Sequence, residues 1–333
     1  MNKCKKVLVL GATGAMGQYL VPLLAEQGCQ VDAVALDQCE GAPPGVRYLQ
    51  ADAKATESLL PLLSNGYDGI VDFLIYRSSE LPYFLPLLLD NTEHYIYLSS
   101  YRVYDNLEHP VKETSPRLID AADKILLRNS DDYCIYKARG ENILYGLEQR
   151  NWTVVRPAIT YSRLRYQLVT LEGKDTLGRA RAGKKVVLPE QAREVRATMS
   201  WAGDVAAMIA GLLFNHQALG ETYTVATAEY HTWGEIAGYY HDLCGLEAVW
   251  VDKEEYLRII DPDAYNLAPR WQLEYDRLFE RVMDNTKILA ATGLHQSGLM
   301  PLYQGLKQEI ERCPRDLVWP VNTRMDAFLN YLL

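Results

Sequence analysis

The sequence predicts an α/β protein, with a doubly wound parallel sheet and a smaller, mostly helical C-terminal lobe. Three observations predict it. The first half alternates short β-branched runs with helical stretches, the pattern of parallel strands joined by crossover helices. A glycine triplet follows the first of those runs and opens a helix. Past Pro157 the alternation stops, and the rest is mostly helical, with turns marked by Pro262, Pro269 and Pro301.

Taken in order, "KKVLVLG" is the first strand and "VLVLGATGAMGQYLVPLL" (7–24) carries Gly11-x-x-Gly14-x-x-Gly17 into a helix. Glycines permit the tight turn, and the helix N-terminus offers N–H groups and a positive dipole to a pyrophosphate. Gly11, Thr13, Gly14, Ala15, Met16 and Gly17 are therefore expected to hold a dinucleotide in a Rossmann-type fold, against the competing reading of a tight turn without ligand. The second strand, "QVDAVALD", ends on Asp37, where a carboxylate accepts hydrogen bonds from an adenosine ribose and repels a 2′-phosphate, favouring NAD over NADP. A solvated loop carboxylate is the competing reading. Asp52 and Ala53, after the third strand in "RYLQADA", are expected beside the adenine.

Next come the helix "TESLLPLLSNG", the fourth strand "DGIVDFLIY", a fifth strand "HYIYLSS" (94–100), the helix "YCIYKARGENILYGLEQR" and a sixth strand "WTVVRPA" (152–158). Residues 161–196 hold nine Lys and Arg against four acids but little apolar periodicity, so they read as loops and short elements outside the sheet. The basic excess suits an anionic substrate or a solvated loop. "SWAGDVAAMIAGLLFN" (200–215) is a helix starting near Gly203 or Asp204, and "ETYTVAT" (221–227) a further strand. The expected division is a dinucleotide-binding domain over 1–160, rejoined by 197–228, with 161–196 and 229–333 forming a substrate lobe.

The 333 residues are enough to bury a full core. A net charge of −9 argues against a broad nucleic-acid surface, so no nucleic-acid partner is expected. Six scattered cysteines with no C-x-x-C pair suit reduced thiols in a cytoplasm, and six histidines without ligand spacing imply no metal. No apolar run approaches a membrane span or a signal-peptide core.

Tyr133 and Lys137 stand one helical turn apart, on one face, and an ammonium beside a phenol favours the phenolate. An ordinary amphipathic helix would show the same spacing. The wider set resembles the NAD-dependent epimerase/dehydratase family of the extended short-chain dehydrogenase/reductase superfamily. "GATGAMG" is similar to that family's glycine loop, "QADA" to its adenine-side Asp, and "YLSSYRVYD" to its Ser-Ser strand end. "YCIYK" is similar to its Tyr-x-x-x-Lys, "VVRPAITYS" to its Arg-Pro strand, and "SWAGDVAAMIAGLL" and "TYTVATAEYHTWGEIA" to its later helix and strand. The resemblance implies NAD as cofactor and a catalytic set of Ser100, Tyr133 and Lys137, in which Lys137 lowers the Tyr133 pKa and holds the nicotinamide ribose. It also implies Leu74 and Arg77 along the cofactor and Ser99 as support, while Tyr136, which points elsewhere on the helix, is expected to be packing.

Tyr101 and Arg102 stand where family dehydratases carry acids, so water elimination lacks its acid and base. Ile159 stands where nucleotide-sugar enzymes commonly carry Asn. The expected function is epimerisation of a secondary alcohol on a sugar-like, possibly anionic small molecule such as a nucleotide sugar or sugar phosphate. The alternatives are an NAD(P)H-dependent reductase of a small carbonyl compound and a non-catalytic cofactor-sensing regulator. A homodimer is compatible with all three.

Overall fold

Seven strands, buried at the centre and more exposed at the β3 edge, make the central sheet of the computed structural model, which describes residues 4–331 apart from 122, 164 and 264. They are β1 (Lys6–Leu10), β2 (Gln30–Ala35), β3 (Val46–Gln50), β4 (Tyr67–Asp72), β5 (Thr92–Leu98), β6 (Trp152–Pro157) and β7 (Glu221–Val225). Their order is β7-β6-β5-β4-β1-β2-β3, and every pairing is parallel. Val7, Leu8, Val9 and Leu10 of β1 are wholly buried, because helices cover both faces of such a sheet and its inner strands need apolar residues on both sides.

The helices α1 (Gly17–Glu26) and α5 (Ala202–Leu212) cover one face, bringing Leu20, Leu24, Val205 and Ile209 onto Val7, Val9 and Val71. On the other face α2 (Thr56–Leu63), α3 (Leu81–Leu89) and α4 (Tyr133–Gly146) bury Leu59, Leu85 and Leu144 against Leu8, Leu10 and Ile70. The chain runs outward from β1 to β3 and then returns to β4 on the other side of β1. The carboxyl ends of β1 and β4 therefore flank a topological switch, where a crevice opens in folds of this class.

A second core is built mostly from the C-terminal half, joined by Tyr101, Val103, Tyr104, Val111 and Ala138 of the first half. Residues 161–196, expected as loops and short elements outside the sheet, do lie outside it, yet they contribute Tyr166, Leu168, Leu171, Leu177 and Val187 to this core, all buried. Within this stretch Val186–Pro189 pairs in parallel with Ala248–Val251. A periodicity count misses such a segment because its apolar residues come in short clusters, each serving a different neighbour. Its basic side chains mostly reach acids nearby or further along the chain: Arg179 and Lys184 meet Asp326, Lys185 meets Glu247 and Arg196 meets Glu280.

Candidate active site

The turn after β1 is built from backbone. Gly11 has φ +78°, a left-handed conformation that suits glycine, and Gly14 N–H donates to the Gly11 carbonyl at 3.1 Å. A Cβ on Gly17 would stand 2.5 Å from the Ala12 carbonyl oxygen, so only glycine lets α1 leave the strand so sharply. Asp37 lies just beyond β2, where it accepts from the Thr13 hydroxyl at 3.0 Å. Asp52 lies just beyond β3 and accepts from the Lys54 backbone N–H at 2.9 Å.

On the other side of the crevice, Ser99 and Ser100 follow β5 directly. The Ser100 side chain accepts from Arg102 N–H at 3.2 Å, starting a single 3-10 turn over Tyr101–Val103. Asp132 caps α4 by accepting from Cys134 N–H at 3.1 Å, which makes Tyr133 the first helical residue and places Lys137 one turn on. Behind them, Glu141 of α4 is gripped by Arg156 of β6 at 2.7 Å and by Arg117 at 3.0 Å, and it accepts from the Ser99 hydroxyl. This buried network fixes the strand end against the helix.

One cavity of about 640 Å³ joins the two sides. It is lined by Gly11, Thr13, Gly14, Ala15, Met16 and Gly17, then by Asp37, Asp52, Ala53 and Leu74, then by Ser100 and Tyr133. Beyond them it continues past Arg102, Arg165, Gln167 and Arg277. Such a cradle, with glycines at its narrowest backbone approach and a carboxylate after β2, fits a dinucleotide.

Two sequence-predicted residues stand elsewhere. Lys137 lies behind Tyr133, its Nζ 5.9 Å from the ring centroid, and donates to the Leu98 carbonyl at 2.6 Å and the Leu74 carbonyl at 3.4 Å. Arg77, expected along the cofactor, instead lies outside this cavity: its guanidinium donates to the Asp131 carbonyl at 3.0 Å and sits over the Tyr136 ring. The chain leaves the sheet after β4 and turns into α3, which carries residue 77 away from the crevice. Tyr136 is buried with its ring against that of Tyr133.

The electrostatics also differ from expectation. Burial raises the Tyr133 pKa above the ordinary phenol value; Arg102 is the largest charge opposing that rise, assisted by the hydrogen bond with Ser100. Burial pushes Lys137 down to about 8, against the pull of Asp72 and Glu141. The cation that faces the phenol is thus Arg102, whose guanidinium carbon is 5.1 Å from the Tyr133 ring centroid.

Sequence reasoning noted Arg102 only as a departure and passed over Asp276 and Arg277. Asp276 is fully buried, and Arg102, Arg277 and Arg281 converge on it. The available signal was "LEYDRLFER" (273–281), where Arg277 and Arg281 stand one helical turn apart and Asp276 lies beside the first of them. Of the nine basic residues in 161–196, Arg165 alone lines the cavity.

Among the described residues no cluster of three or more His, Cys, Asp or Glu side chains could hold a metal ion, and no helix is long and apolar enough to cross a membrane.

No family model matches the chain. A curated relative, the chloroplast stem-loop binding protein of 41 kDa b from Arabidopsis thaliana, is 26% identical over 253 residues, covering 70% of this chain and 61% of that protein. Among solved structures, an epimerase from Methanothermobacter thermautotrophicus superposes with a TM-score of 0.70 at 14% identity, covering 93% of this chain and 92% of its own. The UDP-glucose 4-epimerase of Thermus thermophilus, solved with NAD, gives 0.64 at 19% identity over 94% and 100%. The dTDP-glucose 4,6-dehydratase of Bacillus anthracis, also solved with NAD, gives 0.69 at 16% identity over 92% and 96%. The chain therefore has the Rossmann-like fold of NAD-dependent epimerases and dehydratases.

Proposed function

We propose that the chain is an NAD-dependent enzyme of the epimerase/dehydratase type that epimerises a secondary alcohol on a sugar-like small molecule. The observation that carries this reading is the single cavity running from the glycine turn to Ser100 and Tyr133. The glycine turn and the first turn of α1 would hold the pyrophosphate, Asp37 the adenosine ribose, and Asp52 and Ala53 the adenine side. The bound cofactor would supply hydride acceptance and return at the carbinol carbon.

The chain's own residues would do the rest. Ser100 would hold the substrate oxygen, and Tyr133 would take its proton and later give it back, with the Arg102 charge favouring the phenolate that forms in between. Lys137, whose pKa near 8 lets it gain or lose a proton close to neutrality, would stand behind the phenol as positioning cation and proton reserve. Tyr101 and Arg102 leave no carboxylate directly after Ser100, which favours epimerisation over water elimination. The basic excess of residues 161–196 lends little support to an anionic substrate, since most of its cations are already paired. Nucleic acid stays outside this reading: the name of the Arabidopsis relative belongs to that protein, and this chain carries a net charge of −9.

An epimerase must keep its nicotinamide through oxidation and re-reduction, whereas a reductase exchanges it every cycle. Protein purified without added nucleotide should therefore carry NAD, seen by mass spectrometry after denaturation. Tyr133→Phe should keep that NAD and lose turnover by about a hundred- to ten-thousand-fold, while Tyr136→Phe stays close to the parent. An empty protein that steadily oxidises NADH with a carbonyl compound would replace this reading by the reductase.

A further inference from the structure

At the substrate end of the cavity, positive charge is buried with too little negative charge to match it. Arg102, Arg277 and Arg281 share Asp276, and Arg102 also meets Asp132, so three guanidinium groups face two carboxylates. The neighbouring Arg165 and Glu172, 3.9 Å apart, cancel each other.

The three arginines are not equally engaged. Arg281 is wholly buried away from the cavity and donates to the carbonyls of Tyr104 and Asp105 at 3.0 and 3.2 Å, although its Nε, 3.5 Å from Asp276, has no hydrogen-bond partner. Arg277 donates through Nε to the Val169 carbonyl at 2.7 Å and through Nη1 to the Tyr101 hydroxyl and Asp276. Val169 sits at φ +53°, an uncommon and strained backbone for a β-branched residue, so the carbonyl that aims Arg277 is itself held by its surroundings. Arg102 reaches Asp276 only at 3.4 Å and Asp132 only at 3.5 Å, the long limit of a hydrogen bond, and its buried Nε has no hydrogen-bond partner. Both Arg102 and Arg277 line the cavity that contains Ser100 and Tyr133.

A largely buried guanidinium such as that of Arg102, 13% exposed and so loosely paired, is costly unless something completes it. We infer that Arg102 and Arg277 form a carboxylate subsite, and that the substrate is a hydroxy acid carrying its carboxylate within a few bonds of the alcohol that reacts. The unmatched charge is one, which a carboxylate balances and a phosphate dianion overshoots. A planar carboxylate also matches the guanidinium fork. The inference rests on Ser100 and Tyr133 being the reacting centre, because that is what places the acid beside the alcohol.

The test uses NAD-loaded protein and three matched pairs: acetate with acetamide, glucuronate with glucose, and UDP-glucuronate with UDP-glucose. Inorganic phosphate forms a separate arm. Binding is read by calorimetry, and by saturation-transfer NMR where it is weak. In at least one pair the acid should bind about tenfold or more tightly than its neutral partner, and Arg102→Gln should level the two. Arg102→Lys, which keeps the charge and loses the fork, should retain part of the preference, and it serves if the glutamine variant does not fold. No acid preference in any pair, absence of binding included, overturns the subsite, as does a preference that survives Arg102→Gln. Phosphate binding more tightly than every carboxylate also overturns it. NAD content measured on the same samples separates the two readings. Protein that holds NAD but ignores the acid sinks the subsite alone, whereas Arg102-dependent acid binding by protein that takes up no NAD sinks the enzyme reading, and the hydroxy-acid substrate with it, while the carboxylate site stands.

Discussion

Tyr133 and Lys137 show how burial rearranges the roles that spacing suggests. Burial holds the phenol in its protonated form and drives the amine toward neutrality, so the two shifts oppose the simple picture of an ammonium activating a tyrosine. Lys137 is charged below about pH 8 and neutral above it. If that charge helps the Tyr133 proton move, kcat should fall as pH rises through about 8. A Lys137→Met variant should be slower by a hundredfold or more and lack that alkaline limb. A limb that persists in the variant would assign it to another group. Asp37 supports a second expectation at this scale. Its carboxylate already accepts from Thr13 at the edge of the cavity, and a 2′-phosphate there would meet like charge. Calorimetry should find NAD bound more tightly than NADP, with Asp37→Asn narrowing the gap; equal affinities in the parent would turn Asp37 outward.

The strand–turn–helix of β1 and α1 is the element on which cofactor affinity depends. Its geometry comes from close backbone packing, since a methyl group on Gly17 would enter the space of the Ala12 carbonyl. Gly17→Ala should therefore cost about 1–3 kcal/mol in urea unfolding and release the cofactor, because the helix can no longer start where the turn places it. Retained NAD with unchanged stability would show that α1 can shift without loss. The opposing element, α4, is locked differently: buried Glu141 holds Arg156 and Arg117 and accepts from Ser99, so the loop bearing Ser100 and the helix bearing Tyr133 share one support.

Across the whole molecule, His94 joins β5, β6 and the end of α5. Its ring contacts the Thr153 hydroxyl at 2.8 Å and accepts from the Phe214 backbone N–H at 2.9 Å. Burial, aided by His216, lowers its pKa to about 4. The unfolded chain takes up this proton below about pH 6.5, while the folded chain resists until about pH 4. The stability from keeping the ring neutral is therefore complete above about pH 6.5 and is lost as pH falls toward 4, amounting to roughly 3 kcal/mol. Urea midpoints from pH 7.5 to 4.5 should fall more steeply in the parent than in His94→Gln; parallel curves would remove His94 from the acid response.

The parallel sheet, the glycine turn and the one-turn spacing of Tyr133 and Lys137 were legible in the sequence, because each depends on neighbours a few residues apart: a strand's apolar run, a turn that admits only glycine, one helical turn from phenol to amine. Ser100, 33 residues from Tyr133, was a candidate by resemblance alone. Strand ends were read one or two residues long, as in "HYIYLSS" against Thr92–Leu98, since residues just past a sheet stay buried and look like strand. The tertiary structure alone decided the surroundings of these groups. It took Arg77 out of the crevice, made residues 161–196 part of a core, and assembled Arg102, Asp276 and Arg277 from positions more than 170 residues apart. Charge pairing and desolvation depend on distance in space, and a local pattern carries no record of which distant side chain will share a buried site.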